Sequence, residues 1–104
     1  MYRARDQVEH DEWTAAIDDA AERLDLGGDA KSRAIDLFLS TVADADADRS
    51  KRATAAASLY AGALIAGEER SQSAVADAAG VSRLTVQTRW KDLLAEAGLE
   101  PPGW

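Results

Sequence analysis

Cysteine is absent from the 104 residues, and histidine occurs once, as His10. Disulfides, thiolate zinc sites and cysteine nucleophiles are thereby excluded, and a histidine-centred triad has no evident partner near the N-terminus. No cofactor, metal or enzymatic activity is expected. The two prolines, Pro101 and Pro102, stand together near the end, so no proline interrupts a helix before them. β-Branched and aromatic residues are scattered, and no four-residue stretch alternates between apolar and polar, so strands are not expected. No apolar run approaches the roughly 20 residues that a bilayer requires. The opening MYRARDQVEHDEW also lacks the apolar stretch of a signal peptide, and the expected location is the cytoplasm, without a membrane.

What is present in excess is acid and alanine. Acidic side chains outnumber basic ones 19 to 12, for a net charge of −7, and arginine far outnumbers lysine. This composition suits a halophilic protein of the salt-in type. In molar salt, charges are screened over about 3 Å, so crowded carboxylates repel little and still keep the chain in solution. The charge is also uneven. Residues 1–48 carry 5 basic and 13 acidic side chains, whereas residues 49–104 carry 7 and 6. A surface for an anionic partner is therefore expected in the second half, where Arg49, Lys51, Arg52, Arg70, Arg83, Arg89 and Lys91 lie.

Five helical segments are expected in one domain over 11–97, with tails at 1–10 and 98–104. The first helix should start at Asp11 as N-cap and run to Leu26, with Trp13, Ala16, Ile17, Ala20, Ala21 and Leu24 as its stripe, before Gly27 and Gly28 end it. Asp29 can cap the second, in which Ile35, Phe38, Leu39 and Val42 share a face. The polar stretch 43–50 reads as a loop leading to Ser50 as the next cap. The third helix, about 51–66, is apolar on nearly every side, as a helix buried in the middle of a bundle must be, and its alanines with Gly62 permit close neighbours. Ser71 and Ser82 can cap two shorter helices reaching Ala79 and Ala97, with Gly80 turning between them. The expected architecture is all-α: a five-helix orthogonal bundle around the third helix. The acidic run Asp18, Asp19, Glu22 and Asp25 reads as a solvated face, since the clustered loop geometry of a calcium site is missing.

The stretch AVADAAGVSRLTVQTRW, residues 74–90, joins two apolar helical segments through a Gly-Val-Ser corner, the arrangement of a helix-turn-helix over 71–97. Val86, Trp90, Leu93, Leu94 and Ala97 form the inward stripe of the last helix, which turns Leu84, Gln87, Thr88 and Lys91 outward. Arg83, Leu84, Gln87 and Thr88 are thus the candidate base contacts, and an exposed Leu84 would suit a thymine methyl group. Arg70, Ser71, Gln72, Arg89 and Lys91 are candidate phosphate contacts. Arg49, Lys51 and Arg52 offer a second set, because helix N-termini present free N–H groups to anions. The same residues also satisfy two plainer readings: a closing helical hairpin with an arginine or two, and a basic helix start that answers Asp44, Asp46 and Asp48.

RSKRATAAASLYAGAL (residues 49–64) and SAVADAAGVSRLTVQTRWKDL (residues 73–93) together resemble the central helix and the closing helix-turn-helix of a cyclin-like repeat. Such repeats occur twice in the core of transcription factor IIB and archaeal transcription factor B, and this chain is similar to the haloarchaeal type. The resemblance implies a helix-turn-helix that meets DNA, with Leu84 and Gln87 at the positions that face bases. Gln87 stands where that family would place an arginine, so the family's base preference is not carried over. Neither the family's zinc ribbon, its polymerase-entering linker nor a second repeat is recognisable. The implied function is a DNA-binding transcriptional regulator built on one repeat, with DNA as partner and a transcription component or a second copy as companion. The alternative is an adaptor that docks on the transcription machinery without touching DNA, and the net negative charge favours it.

Overall fold

The helical periodicities resolve into five α-helices in a computed structural model, which describes residues 4–44 and 51–96. They are α1 (Ala4–Arg23), α2 (Gly28–Asp44), α3 (Lys51–Ile65), α4 (Gln72–Ala79) and α5 (Arg83–Glu96), and no strand occurs among the described residues. The expected all-α, five-helix architecture is therefore the one observed. Residues 45–50, with Arg49 and Ser50, and 97–104, with Ala97 and the C-terminal tail, lie outside the described residues.

The alanine-rich α3 is the axis of the bundle. Every residue from Ala53 to Ala63 is buried, and α3 touches each of the other four helices. Small side chains make this possible, because a helix surrounded on all sides must let its neighbours approach. Gly62 marks the tightest approach, where a Cβ would lie 2.7 Å from the backbone nitrogen of Ala34 on α2. Bulk comes from the neighbours: Ile17, Phe38, Val75, Val86 and Leu94 are fully enclosed in the same core as Leu59. Tyr60 of α3 meets Trp90 of α5 edge-on, with ring centroids 5.3 Å apart.

Three boundaries differ from the sequence reading. First, α1 begins at Ala4, so residues 4–10, expected as a tail, are helical. No glycine or proline stands between Ala4 and Arg23, so nothing obliges the helix to wait for Asp11. Second, α1 stops at Arg23, and Asp25 takes the left-handed conformation with φ of 57°, a role expected of Gly27. The Leu26 N–H then reaches back to the Ala21 carbonyl at 2.9 Å, a closure that Asp tolerates better than most side chains. Third, Gly28 opens α2, and Asp29 sits inside the first turn, paired with Arg33 at 3.2 Å, rather than preceding the helix as its cap.

The loop after α3 fastens this α1–α2 turn. The Glu68 carboxylate accepts the Gly27 N–H at 3.0 Å through Oε1. Arg70 donates to the carbonyls of Leu24 at 2.9 Å and Asp25 at 3.1 Å, while its other nitrogen bonds the carbonyls of Glu68 and Glu69. Lys31 ties α2 to α1 through Asp18 at 2.7 Å and Glu22 at 4.0 Å. Its hydrogen bond to Asp18 raises the lysine pKa above the ordinary value of 10.5. No helix of the described residues is long and apolar enough to cross a membrane.

Candidate nucleic-acid interface

The corner between α4 and α5 is built from local chemistry at each end. Ser71 is extended at φ −65°, ψ 153°, and its hydroxyl oxygen accepts the Ala74 N–H at 3.0 Å, which starts α4. Gly80 ends it in the left-handed region, φ 73°, and the Val81 N–H closes on the Ala76 carbonyl at 2.9 Å. Ser82 then accepts the Thr85 N–H at 3.2 Å and starts α5. Val81, between the two caps, packs half-buried against the core. The glycine turn and both serine caps stand as the sequence suggested.

With Val86, Trp90, Leu93 and Leu94 held inward, the opposite side of α5 faces outward. Arg83, Leu84, Gln87, Thr88 and Lys91 are all exposed. Leu84 is 64% exposed, the one large hydrophobic residue among the described residues left so open. Positions 84, 87, 88 and 91 fall on one face at the spacing of a helical turn. Thr88 donates its hydroxyl proton to the Leu84 carbonyl at 2.9 Å, so its methyl group and the oxygen's lone pairs are left to meet a partner.

The basic residues divide. Lys51 is exposed on the first turn of α3, and Arg52 lies over the Trp13 ring, 5.8 Å from its centroid, with Nη1 3.3 Å from where a Cβ on Gly80 would stand. This end of α3 therefore adjoins the α4–α5 corner. Lys91 rests 5.5 Å over the Trp90 ring, exposed enough to swing toward a phosphate. Ser71 and Gln72 open α4, and the Ser71 hydroxyl, already an acceptor, keeps its own proton for donation. Arg89 and Arg70 depart from expectation. Arg89 is half-buried and reaches the enclosed Thr54 of α3 at 3.4 Å, so its guanidinium serves the α3–α5 contact. Arg70 is engaged by four backbone carbonyls, two in the α1–α2 turn and two in its own loop, which leaves little of it for a phosphate.

The sequence reading missed both of these internal duties, and Glu68 with them. A loop arginine beside acidic residues carries the same local signal whether it faces solvent or a carbonyl. Also unanticipated is a cleft of about 290 Å³ behind the corner, lined by Trp13 and Ile17 of α1, Arg52 and Leu59 of α3, and Asp77 and Gly80 at the end of α4. Asp77 and Asp92 are exposed on α4 and α5, so carboxylates border the basic face.

Comparison with known proteins gives this geometry a context. The family model for the transcription factor TFIIB repeat matches residues 7–96. Transcription initiation factor IIB 4 of Halobacterium salinarum is 42% identical over 80 residues, which cover 75% of this chain and 24% of that protein. The transcription initiation factors IIB of Archaeoglobus fulgidus and Methanosarcina mazei are 33% and 32% identical over 78 residues, which cover 74% of this chain and 24% and 23% of those proteins. The chain thus spans about a quarter of the length of these curated relatives.

Proposed function

We propose, on the premise that this chain belongs to the family of transcription factor TFIIB repeats, that it is a DNA-binding transcriptional regulator whose α4–α5 corner acts as a helix-turn-helix. The family is one of transcription factors rather than enzymes, and its repeat is a cyclin-like helical fold. The observation that carries the reading is the outward face of α5. Arg83, Leu84, Gln87 and Thr88 stand exposed in its first two turns, beyond a glycine corner, where a recognition helix meets base edges. In this reading Ser71, Gln72 and Lys91 meet phosphates, with Lys51 and Arg52 as a second set beside them. Arg70 instead ties the α3–α4 loop to the α1–α2 turn, and Arg89 ties α5 to α3.

Such a module makes few contacts, so it gains affinity by acting beside another DNA-bound transcription component or as a pair of copies. The composition and the similarity to a Halobacterium protein support a halophilic setting, in which acidic α1 and α2 face solvent or a protein partner.

The test is a fluorescence-anisotropy titration against a duplex pool at several potassium chloride concentrations. Saturable binding is expected to weaken with salt, with a log–log slope of about −0.9 per phosphate neutralised. Arg83→Glu should abolish it while leaving the circular dichroism spectrum intact. Absence of binding at every salt concentration, from a folded protein, would sink direct DNA reading and turn attention to the adaptor role.

A further inference from the structure

Beyond Arg83 at its first position, the side chains on the exposed α5 face are not those that best read guanine. In the major groove guanine offers two acceptors and calls for a forked donor such as arginine. Adenine offers one acceptor and one donor, which a carboxamide matches, and thymine adds an apolar methyl group. Gln87 carries that carboxamide, exposed, at the centre of the face. Leu84 precedes it by one turn with 64% of its surface open, an apolar side chain that folding has left unpacked. Thr88 follows, its hydroxyl proton held by the Leu84 carbonyl at 2.9 Å, so toward a base it offers the oxygen's lone pairs, as acceptors only, and a methyl group.

We infer that α5 reads adenine–thymine pairs, with the Gln87 carboxamide on an adenine edge and Leu84 and the Thr88 methyl group against thymine methyls. This rests on the DNA-binding reading above. Residues 84 to 88 rise about 6 Å along the helix, which matches roughly two base-pair steps, so the adenine–thymine core is two to three pairs long. Arg83, the first residue of α5, stands at the rim of this core. Its cation meets a phosphate or a flanking pair and does not set the centre.

The experiment is selection of bound sequences from a random duplex pool, followed by titration of the selected duplex and of its deoxyuridine counterpart, which lacks only the thymine methyl groups. Adjacent adenine–thymine pairs are expected at the core. Deoxyuridine should weaken binding of the natural protein about fourfold for each thymine methyl group that it takes from the interface, whereas Leu84→Ala should lose that sensitivity at the methyl group Leu84 meets and keep it at the one beside Thr88. Gln87→Arg should move one selected position to guanine, and Gln87→Ala should lose at least about fivefold in discrimination at that position. A guanine–cytosine core for the natural protein, or equal binding of the thymine and deoxyuridine duplexes, would overturn this inference while leaving DNA binding in place. No saturable binding to any duplex by folded protein would overturn both.

Discussion

Gly62 has no side chain because there is no room for one. A Cβ at that position would stand 2.7 Å from the Ala34 nitrogen and 2.9 Å from its Cα, and backbone cannot swing aside as a flexible side chain can. Gly62→Ala is therefore expected to force α2 and α3 apart and to lower stability by about 2 kcal/mol, read as an earlier urea midpoint. Ser58 presents the opposite case. Its hydroxyl is completely buried in α3 and finds no hydrogen-bond partner among the described residues, so it bears a desolvation cost without return. Ser58→Ala should leave the fold unchanged and raise stability by about 1 kcal/mol. A loss of stability on this substitution would mean that the hydroxyl is satisfied after all, for instance by an enclosed water. Both residues show what can be read in advance. Closeness around Gly62 was legible from the alanines beside it, whereas nothing in the string SLYAG distinguishes a satisfied serine from an orphaned one.

Among elements, the loop from Ala66 to Ser71 does more than join α3 to α4. It grips the end of α1 through Arg70 on the Leu24 and Asp25 carbonyls and the start of α2 through Glu68 on the Gly27 amide. Arg70→Ala should cost about 1.5 kcal/mol, toward the lower end for hydrogen bonds to a charged group because the site is partly open. It should also speed amide exchange at Leu26, whose N–H closes the end of α1. The salt slope of DNA binding should not change, whereas removal of a phosphate contact would flatten it by about 0.9. That pair of measurements separates the internal duty of Arg70 from the external one suggested by its position in sequence. The elements themselves were legible because their apolar stripes repeat at 3.6 residues, and the α4–α5 corner because Ser71, Gly80 and Ser82 act on their own neighbours. The α1 boundaries were not. Choosing Gly27 over Asp25 for the left-handed turn depends on which residue the distant Glu68 and Arg70 hold in place, and contacts across more than forty positions leave no trace in a local pattern. The candidate face divides in the same way: Leu84, Gln87 and Thr88 follow from helix geometry alone, but the withdrawal of Arg89 toward Thr54 requires the packed α3.

At the scale of the whole molecule, acid and base occupy different parts. Exposed Asp19, Glu22, Asp25, Asp29 and Asp36 crowd α1, α2 and their turn, relieved by Lys31, Arg23 and Arg33, while the face formed by α5 and the start of α3 carries the unbalanced cations. A net charge of −7 on so small a body repels itself at low salt, where the screening length is about 10 Å at 0.1 M, and scarcely does so at 1 M, where it is about 3 Å. Thermal unfolding should therefore move upward as potassium chloride rises, steeply at first and levelling near molar, because screening saturates once its length falls below the spacing of the carboxylates. Replacing two exposed acids, Glu12→Gln with Asp36→Asn, should raise the low-salt midpoint and flatten the dependence. If the double variant instead kept the full salt response of the natural protein, general salting-out of apolar surface rather than charge repulsion would govern stability, since that effect does not depend on how many carboxylates remain. The same salt that steadies the fold weakens attraction to phosphate, so Leu84 and Gln87, whose contacts with bases owe little to net charge, become the main source of affinity in concentrated potassium chloride. Leu84→Ala should accordingly cost proportionally more DNA affinity at 1 M than Lys91→Ala does, and the order should reverse at 0.1 M.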